Sequence, residues 1–301
     1  MEGVIDHAMR ELLTASGHYD LCITEFVRVV DQIYKPAYFH KICPELHQGG
    51  KTRAGTPVRV QLLGQHPEWV AENAVVAAGL GSPGIDLNFG CPAKTVNRHK
   101  GGAVLLREPE VLYKIVRAVR NALPHHLPVS VKMRLGYENA DLATDCARAI
   151  ENAGASMLTV HARTKIEGYR PPAHWHLIND IRNQVSLPLV ANGDIWSAED
   201  AVKCQHISGC TDIMIGRGAL CLPNLASVIR KGATPMPWEE VCDLLITYAA
   251  FKREGRGRGY LPSRIKQWFS YLKRQYPQAP VLFEKIKRLQ QLDEIMAMIK
   301  S

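Results

Sequence analysis

The 301-residue chain has no run of the roughly 20 uncharged apolar residues that a membrane-spanning helix needs, and no basic N-terminus leading into an apolar core. No membrane partner or secretory leader is expected, and the cytoplasm is the expected location. The eight cysteines (Cys22, Cys43, Cys91, Cys146, Cys204, Cys210, Cys221 and Cys242) include no C-x-x-C pair and no His/Cys cluster. A disulfide framework is therefore not indicated, and no metal is expected. Repeats of solenoid period and low-complexity tracts are also missing. What is present is apolar material, 46% of residues against 22% charged, enough for one large domain plus a small one. The net charge of +8 and a pI near 9.1 favour polyanionic partners such as nucleic acid or anionic membrane, through non-specific attraction alone.

Short β-branched runs recur at 21–25, 58–63, 84–88, 129–135, 157–163, 187–192 and 212–216. They read as seven parallel strands covered on both faces. Helical patterns lie between them at 69–78, 109–122, 141–153, 175–183 and 198–207; Ser197 and Asp200 have the spacing of a capping box at the last. An open doubly wound sheet usually stops at five or six strands, so the alternation predicts a TIM-type (β/α)8 barrel with its first strand truncated. The chain opens on Met1 and passes directly to a helix at 6–13, and the reading frame is expected to encode a short apolar strand upstream.

Past Met236-Pro237-Trp238 the pattern becomes helical only, at 239–252, 263–274, 279–290 and 292–300. This predicts a catalytic barrel over 1–235 and a small helical bundle over 236–301. The second segment holds 12 Lys/Arg and 7 Asp/Glu, so 12 − 7 = +5 of the +8 falls in about a fifth of the chain. Such segregation suits an RNA-contacting appendage, although a solvated helical face produces the same count.

The segment Asp86-Leu87-Asn88-Phe89-Gly90-Cys91-Pro92 sits where a strand ends and a loop begins, which in a barrel is the catalytic rim. A lone cysteine is ordinarily a small buried hydrophobe. Here Gly90 permits a sharp turn, Pro92 stiffens the following chain, and Gly101-Gly102 allow close approach to a ligand, so a thiol held there can donate a proton. Gln61, Lys132 and His161 are polar where a packed barrel places apolar residues. Singly each reads as an edge, snorkelling or satisfied core residue. Together they suit a reduced flavin, whose N1–C2 edge carries negative charge and whose pyrimidine edge an amide can bond. Asn192-Gly193-Asp194 and Gly216-Arg217-Gly218 close the last two strands, the usual place for a barrel phosphate site.

Asp-Leu-Asn-x-Gly-Cys-Pro, Val-Lys-Met-Arg-Leu-Gly, His-Ala-Arg-Thr, Ala-Asn-Gly-Asp and Ile-Gly-Arg-Gly together resemble the tRNA-dihydrouridine synthases over nearly the whole chain. Residues 23–30 and 264–268 are most like the bacterial position-16 subfamily. The resemblance implies a TIM-barrel flavoprotein with a C-terminal helical bundle, using FMN and drawing electrons from NADPH. It implies flavin-ring contacts from Met1, Gln61, Lys132 and His161, and phosphate contacts from Asn192, Gly193, Asp194, Gly216 and Arg217. Asn88 and Tyr169 would meet the target base, while Arg28, Arg264, Lys266 and Lys287 would orient the tRNA. Hydride would go to C6 of uracil, and Cys91, as a thiol, would protonate C5. A monomer is expected.

The family's opening strand ends in Ala-Pro-Met, of which only Met1 is found here. Two other readings stand beside the synthase. One is a barrel flavoenzyme acting on a free pyrimidine, like a dihydroorotate dehydrogenase, against which the basic tail argues. The other is a tRNA-binding homologue without catalysis, against which intact Cys91, Lys132 and His161 argue.

Overall fold

The computed structural model describes residues 3–251 and 257–300. Met1, implied as a flavin contact, and Lys252, the expected end of the first C-terminal helix, lie outside the described residues. Seven strands, β1 Cys22–Arg28, β2 Val58–Leu63, β3 Ile85–Phe89, β4 Val129–Gly136, β5 Met157–Thr164, β6 Leu189–Asn192 and β7 Asp212–Met214, pair in parallel in the order of the chain. This is the expected α/β architecture, a curled sheet alternating with helices. Among the described residues β1 and β7 each have one strand neighbour.

The helices are α1 His7–Ser16, α2 Pro36–Ile42, α3 Pro67–Gly79, α4 Lys94–Arg98, α5 Pro109–Ala122, α6 Ala143–Asn152, α7 Trp175–Arg182, α8 Ala198–Ser208, α9 Gly218–Cys221 and α10 Leu225–Lys231. Then follow α11 Trp238–Ala250, α12 Tyr260–Leu272, α13 Gln278–Ile286 and α14 Leu292–Lys300. Local chemistry explains the starts. Asp6 accepts from the Met9 N–H at 2.9 Å to cap α1, and α2, α3 and α5 each begin with proline, whose missing N–H costs nothing there. At α8 the Ser197 hydroxyl accepts from Asp200 N–H at 3.2 Å, while the Asp200 carboxylate returns to Trp196 N–H at 3.0 Å, one residue before the cap. Four helices, α2, α4, α9 and α10, were not expected; each is at most seven residues long, too short to show a 3.6-residue period.

The first strand runs past its expected end at 25 to Arg28, because Phe26 and Val27 pair with Gln61 and Leu62 beyond an irregularity after Ile23. More important is what the strand faces do. Val58, Val60, Leu62, Ile85, Leu87, Val129, Val131, Met133, Leu158 and Val160 pack with Ala74, Leu112, Ile115 and Ile150 of the helices in one apolar core. Successive side chains point to opposite faces, so the alternating residues Gln61, Asp86, Asn88, Lys132, Arg134, Thr159, His161 and Arg163 lie on the concave face. The polar positions Gln61, Lys132 and His161 noted in the sequence thus belong to a wider polar concave face.

A second apolar core joins Ala8, Met9, Leu12 and Leu13 of α1 and Leu220 of α9 to Leu245, Tyr248, Ile265, Trp268 and Phe269 of the C-terminal helices. Trp268 donates its indole N–H to Leu220 C=O at 3.0 Å. On its other side α1 is tied down by the fully buried Arg10, which donates to both oxygens of Glu45 at 2.6 and 2.8 Å. No helix among the described residues is long and apolar enough to cross a membrane.

Candidate active site

Parallel register brings the polar residues together. Asn88 pairs with Lys132 across β3–β4, Arg134 with His161 across β4–β5, and His161 with Asn192 across β5–β6. From the floor upward a hydrogen-bond chain runs to the cysteine loop. Buried Asp86 accepts from Ser130 Oγ at 2.6 Å and Gln61 Nε2 at 2.7 Å; Gln61 Oε1 accepts from Asn88 Nδ2 at 2.8 Å. Asn88 Oδ1 then accepts from the N–H groups of Gly90 and Cys91 at 2.9 and 3.0 Å. A carboxylate only accepts, so Asp86 fixes which end of each amide points up. Burial pushes the Asp86 carboxyl above its usual range, while the bonds from Ser130 and Gln61 pull it back.

Cys91 is buried, packed with Phe26, Leu63 and Val96. Its carbonyl accepts from Asn97 Nδ2 at 2.9 Å and Ala103 N–H at 3.1 Å. Gly102 has φ of +67°, and a Cβ there would meet Cys91 O at 2.8 Å. The close approach that Gly102 allows is to the backbone of Cys91, where the sequence suggests approach to a ligand.

Lys132 Nζ donates to Asn192 Oδ1 at 3.0 Å, and Asn192 Nδ2 donates to Met214 C=O at 2.7 Å. Gly193, at φ +126°, lies so close to His161 that a Cβ would stand 3.1 Å from its ring. Asp194 is ion-paired with Arg163, and lies 3.6 Å from Arg217. Burial lowers Lys132 to about 8. Burial and then the charges of Lys132, Arg134, Arg163 and Arg217 drive His161 well below its ordinary range, so its imidazole is neutral at pH 7 and offers an N–H rather than a charge. Fully buried Arg163 has a guanidinium nitrogen, Nη1, with no partner among the described residues. Four cations crowd a concave face that offers Asp86 and Asp194 in return, and one buried N–H group is unspent. The arrangement fits an anionic ligand with a planar, hydrogen-bonding body.

Arg134 stands in the Val-Lys-Met-Arg-Leu-Gly motif, where the sequence gives it no role. It is buried, donating Nε to Gly90 C=O at 2.9 Å and Nη1 to Thr164 and Gly168 C=O at 3.0 and 2.9 Å. Its guanidinium carbon is 5.3 Å from the Tyr169 ring. The cysteine loop and the Tyr169 loop are thereby pinned to one side chain. Tyr169 itself is exposed, with Arg217 4.6 Å from its ring centroid and His161 6.1 Å away.

The remaining expected residues lie apart. Arg28 ends β1, with its carbonyl accepting from Tyr34 Oη at 2.8 Å. Arg264 is largely spent internally, on Val4 C=O at 2.8 Å and Gln267 at 2.6 Å; Val4 N–H in turn donates to Glu25 of β1 at 2.9 Å. Lys266 donates to Leu289 C=O, and Lys287 pairs with Glu284. Elsewhere, His7, Glu11 and Glu45 bring ligand atoms within 4.8 Å of one another, but Arg10 already occupies both Glu45 oxygens.

The family model described as dihydrouridine synthase (Dus) matches residues 1–297. The chain belongs to the dihydrouridine synthase family. Among similar members, the tRNA-dihydrouridine(16) synthase of Shewanella oneidensis is 52% identical over 300 residues, covering 100% of this chain and 95% of that one. The Escherichia coli tRNA-dihydrouridine(16) synthase is 50% identical over 302 residues, covering 100% and 96%. Among solved structures, an old yellow enzyme homologue from Zymomonas mobilis superposes with a TM-score of 0.54 at 15% identity, covering 86% of this dihydrouridine synthase chain and 90% of its own. Histamine dehydrogenase from Rhizobium sp. 4-9 gives 0.57 at 14% identity, covering 75% and 43%. Likeness at that distance establishes the barrel-type fold alone.

Proposed function

We propose that this family member reduces the C5–C6 bond of a uridine in tRNA to 5,6-dihydrouridine, at position 16 of the D-loop, with FMN as its cofactor and NADPH as the electron donor. The observation that carries the reading is a cysteine loop, held by the Asp86–Gln61–Asn88 chain, on the rim of a four-cation concave face in a chain of this family. The surplus of positive charge and the unspent Arg163 N–H fit FMN, which is anionic, planar and edged with acceptors. Gln61, Lys132 and His161 would hold its ring; Asn192, Gly193, Asp194, Gly216 and Arg217 would hold its phosphate. When bound and reduced, it supplies a hydride to C6 of uracil.

The chain's own residues do the rest. Cys91 delivers a proton to C5 from its thiol, which must be protonated when the hydride arrives. Lys132 keeps its charge below about pH 8 and places it against negative charge on the cofactor edge, while neutral His161 adds a hydrogen bond there. Asn88 and Tyr169 would orient a uracil that has left its stack, and extrusion costs least from a loop. Arg28, Arg264, Lys266 and Lys287 would direct the tRNA body, with residues 236–301 acting as the RNA-gripping unit beside a catalytic unit at 1–235. A cytoplasmic monomer fits this role.

The test is purification followed by absorbance and RNA analysis, and mapping of dihydrouridine in tRNA from a deletion strain. A yellow protein that carries tRNA, and loss of dihydrouridine at position 16, are the expected results. Colour without RNA would favour a free-pyrimidine enzyme, and loss at another position would overturn the assignment to 16.

A further inference from the structure

The rim carries a second surface that the chemistry above leaves unused. Strand β1 ends at Arg28 and β2 at Leu63, so the loop after β1 and the first turns of α2 and α3 stand on the same rim as the Cys91 loop. Phe26 and Leu63, one on each strand, pack directly on Cys91. Immediately beyond them the chain does something unusual for solvent-facing loop and helix positions. Val29 and Phe39 turn inward and are buried, but their outward neighbours are also apolar: Val30, Ile33, Tyr38 and Trp69 are 41, 47, 37 and 36% exposed. Scattered exposed hydrophobes need no explanation, whereas a group gathered beside a candidate active site does.

The group is gathered and stiff. Asn73, fully buried on α3, accepts from Tyr34 N–H at 2.9 Å and donates to the carbonyls of Gln32 and Trp69, both at 2.8 Å. One side chain thus ties the loop to the first turn of α3. Tyr34 and Tyr38 stack with centroids 4.3 Å apart and planes 15° from parallel. Arg28, Lys35 and Lys41 of the loop and α2 stand against Asp31 of the loop and Glu68 and Glu72 on α3, so the patch carries both signs, 3 − 3 = 0, with its cations on the β1–α2 side.

Flat aromatic faces on a preorganised support, with cations along the β1–α2 side and next to a site for one nucleotide, match what an unpaired base and its phosphodiester require. We propose that Val30, Ile33, Tyr34, Tyr38 and Trp69 form a stacking platform for an unpaired nucleobase of the tRNA, next to the base that is reduced. Its occupant is RNA because the patch combines π faces with cations and adjoins the cysteine loop. The platform rests on the proposed tRNA activity and deepens it: one loop base is gripped while its neighbour enters the pocket.

Steady-state kinetics and binding with unmodified tRNA transcript test this on full-length holoenzyme, comparing wild type with Trp69→Ala, Trp69→Leu, Trp69→Tyr and Ile33→Ala. Stacking on one side chain predicts that KM and Kd rise roughly fivefold or more in Trp69→Ala, with kcat held within about twofold. Trp69→Tyr should recover most of the loss and Trp69→Leu should not, because only tyrosine keeps a π face. The slope of log Kd against log salt should stay unchanged, since no phosphate contact is removed. Unchanged KM and Kd in Trp69→Ala, equal rescue by leucine and tyrosine, or a reduced salt slope would each overturn the platform. Light scattering that shows a wild-type dimer dissociated by Ile33→Ala would also overturn it, assigning the patch to a second copy. Melting temperature and flavin absorbance control for folding, and where Trp69→Ala lowers either, Ile33→Ala carries the comparison. A wild type that makes no dihydrouridine would instead refute the activity on which the platform rests.

Discussion

Cys91 shows how neighbours give one side chain a task. Its backbone is fixed from below by Asn88 Oδ1 and from the side by Asn97, so the thiol has a set place before substrate arrives. Replacement by alanine removes the acid and leaves these backbone bonds available. Cys91→Ala is therefore expected to keep flavin absorbance and tRNA affinity while dihydrouridine formation falls by roughly 10²–10⁴, measured as dihydrouridine per tRNA in single turnover. Turnover at the wild-type rate would remove Cys91 from the mechanism. Lys132 makes a separate prediction about pH. Burial holds it near 8, and an anion bound beside it must raise that value. A group whose pKa is higher in the bound state supports binding fully below its free value and less as pH rises through it. FMN affinity, followed by fluorescence titration, should accordingly be flat to about pH 8 and weaken above it; Lys132→Met should flatten that upper limb.

Arg134 acts between elements, joining the end of β3 to the segment that follows β5. Its guanidinium reaches three carbonyls from a nearly inaccessible position, a task for a planar fork with several donors. Lysine retains the charge but cannot span the three. Arg134→Lys is expected to lower kcat roughly 10- to 100-fold through misplacement of the cysteine and tyrosine loops, with flavin reduction by NADPH nearly unchanged. Stopped-flow separation of the two half-reactions checks this, and equal slowing of both would sink it. Arg134 also marks where sequence reading stops. The strand order and the cysteine loop were legible, because β-branched runs and Gly-Cys-Pro chemistry are local. Gln61, Lys132 and His161 stood out as polar residues among apolar ones. Arg134 carries the same signature two residues after Lys132, yet its partners are carbonyls of Gly90, Thr164 and Gly168, which leave no mark on sequence. Likewise the stacking patch at residues 30–38 and 69 looks like ordinary amphipathic pattern until burial shows which members face outward.

The two apolar cores bear on how the whole chain holds together. A boundary near residue 236 follows from composition, but the second core also takes α1 and α9, which stand before that boundary. Helix α1 faces both ways, its leucines lying in the second core, where it packs on α11, while Arg10 bonds Glu45 on the barrel side. The C-terminal helices therefore cannot loosen without disturbing the segment that leads into β1, and Arg264 strengthens the link through Val4 to Glu25. Trp268 sits at the centre of this junction, 2% exposed and bonded to Leu220. Trp268→Ala should cost about 3–5 kcal/mol, a lost aromatic core residue whose former acceptor is left behind. If the cores are coupled as the packing indicates, that loss will lower flavin release and helix melting together. Both are read in one heating ramp, by flavin fluorescence and far-ultraviolet circular dichroism, and coincident midpoints are expected in wild type and variant. A variant in which helix content melts first, with flavin retained to the wild-type temperature, would mean that the C-terminal helices are a separate folding unit and that the shared role of α1 is packing without coupling.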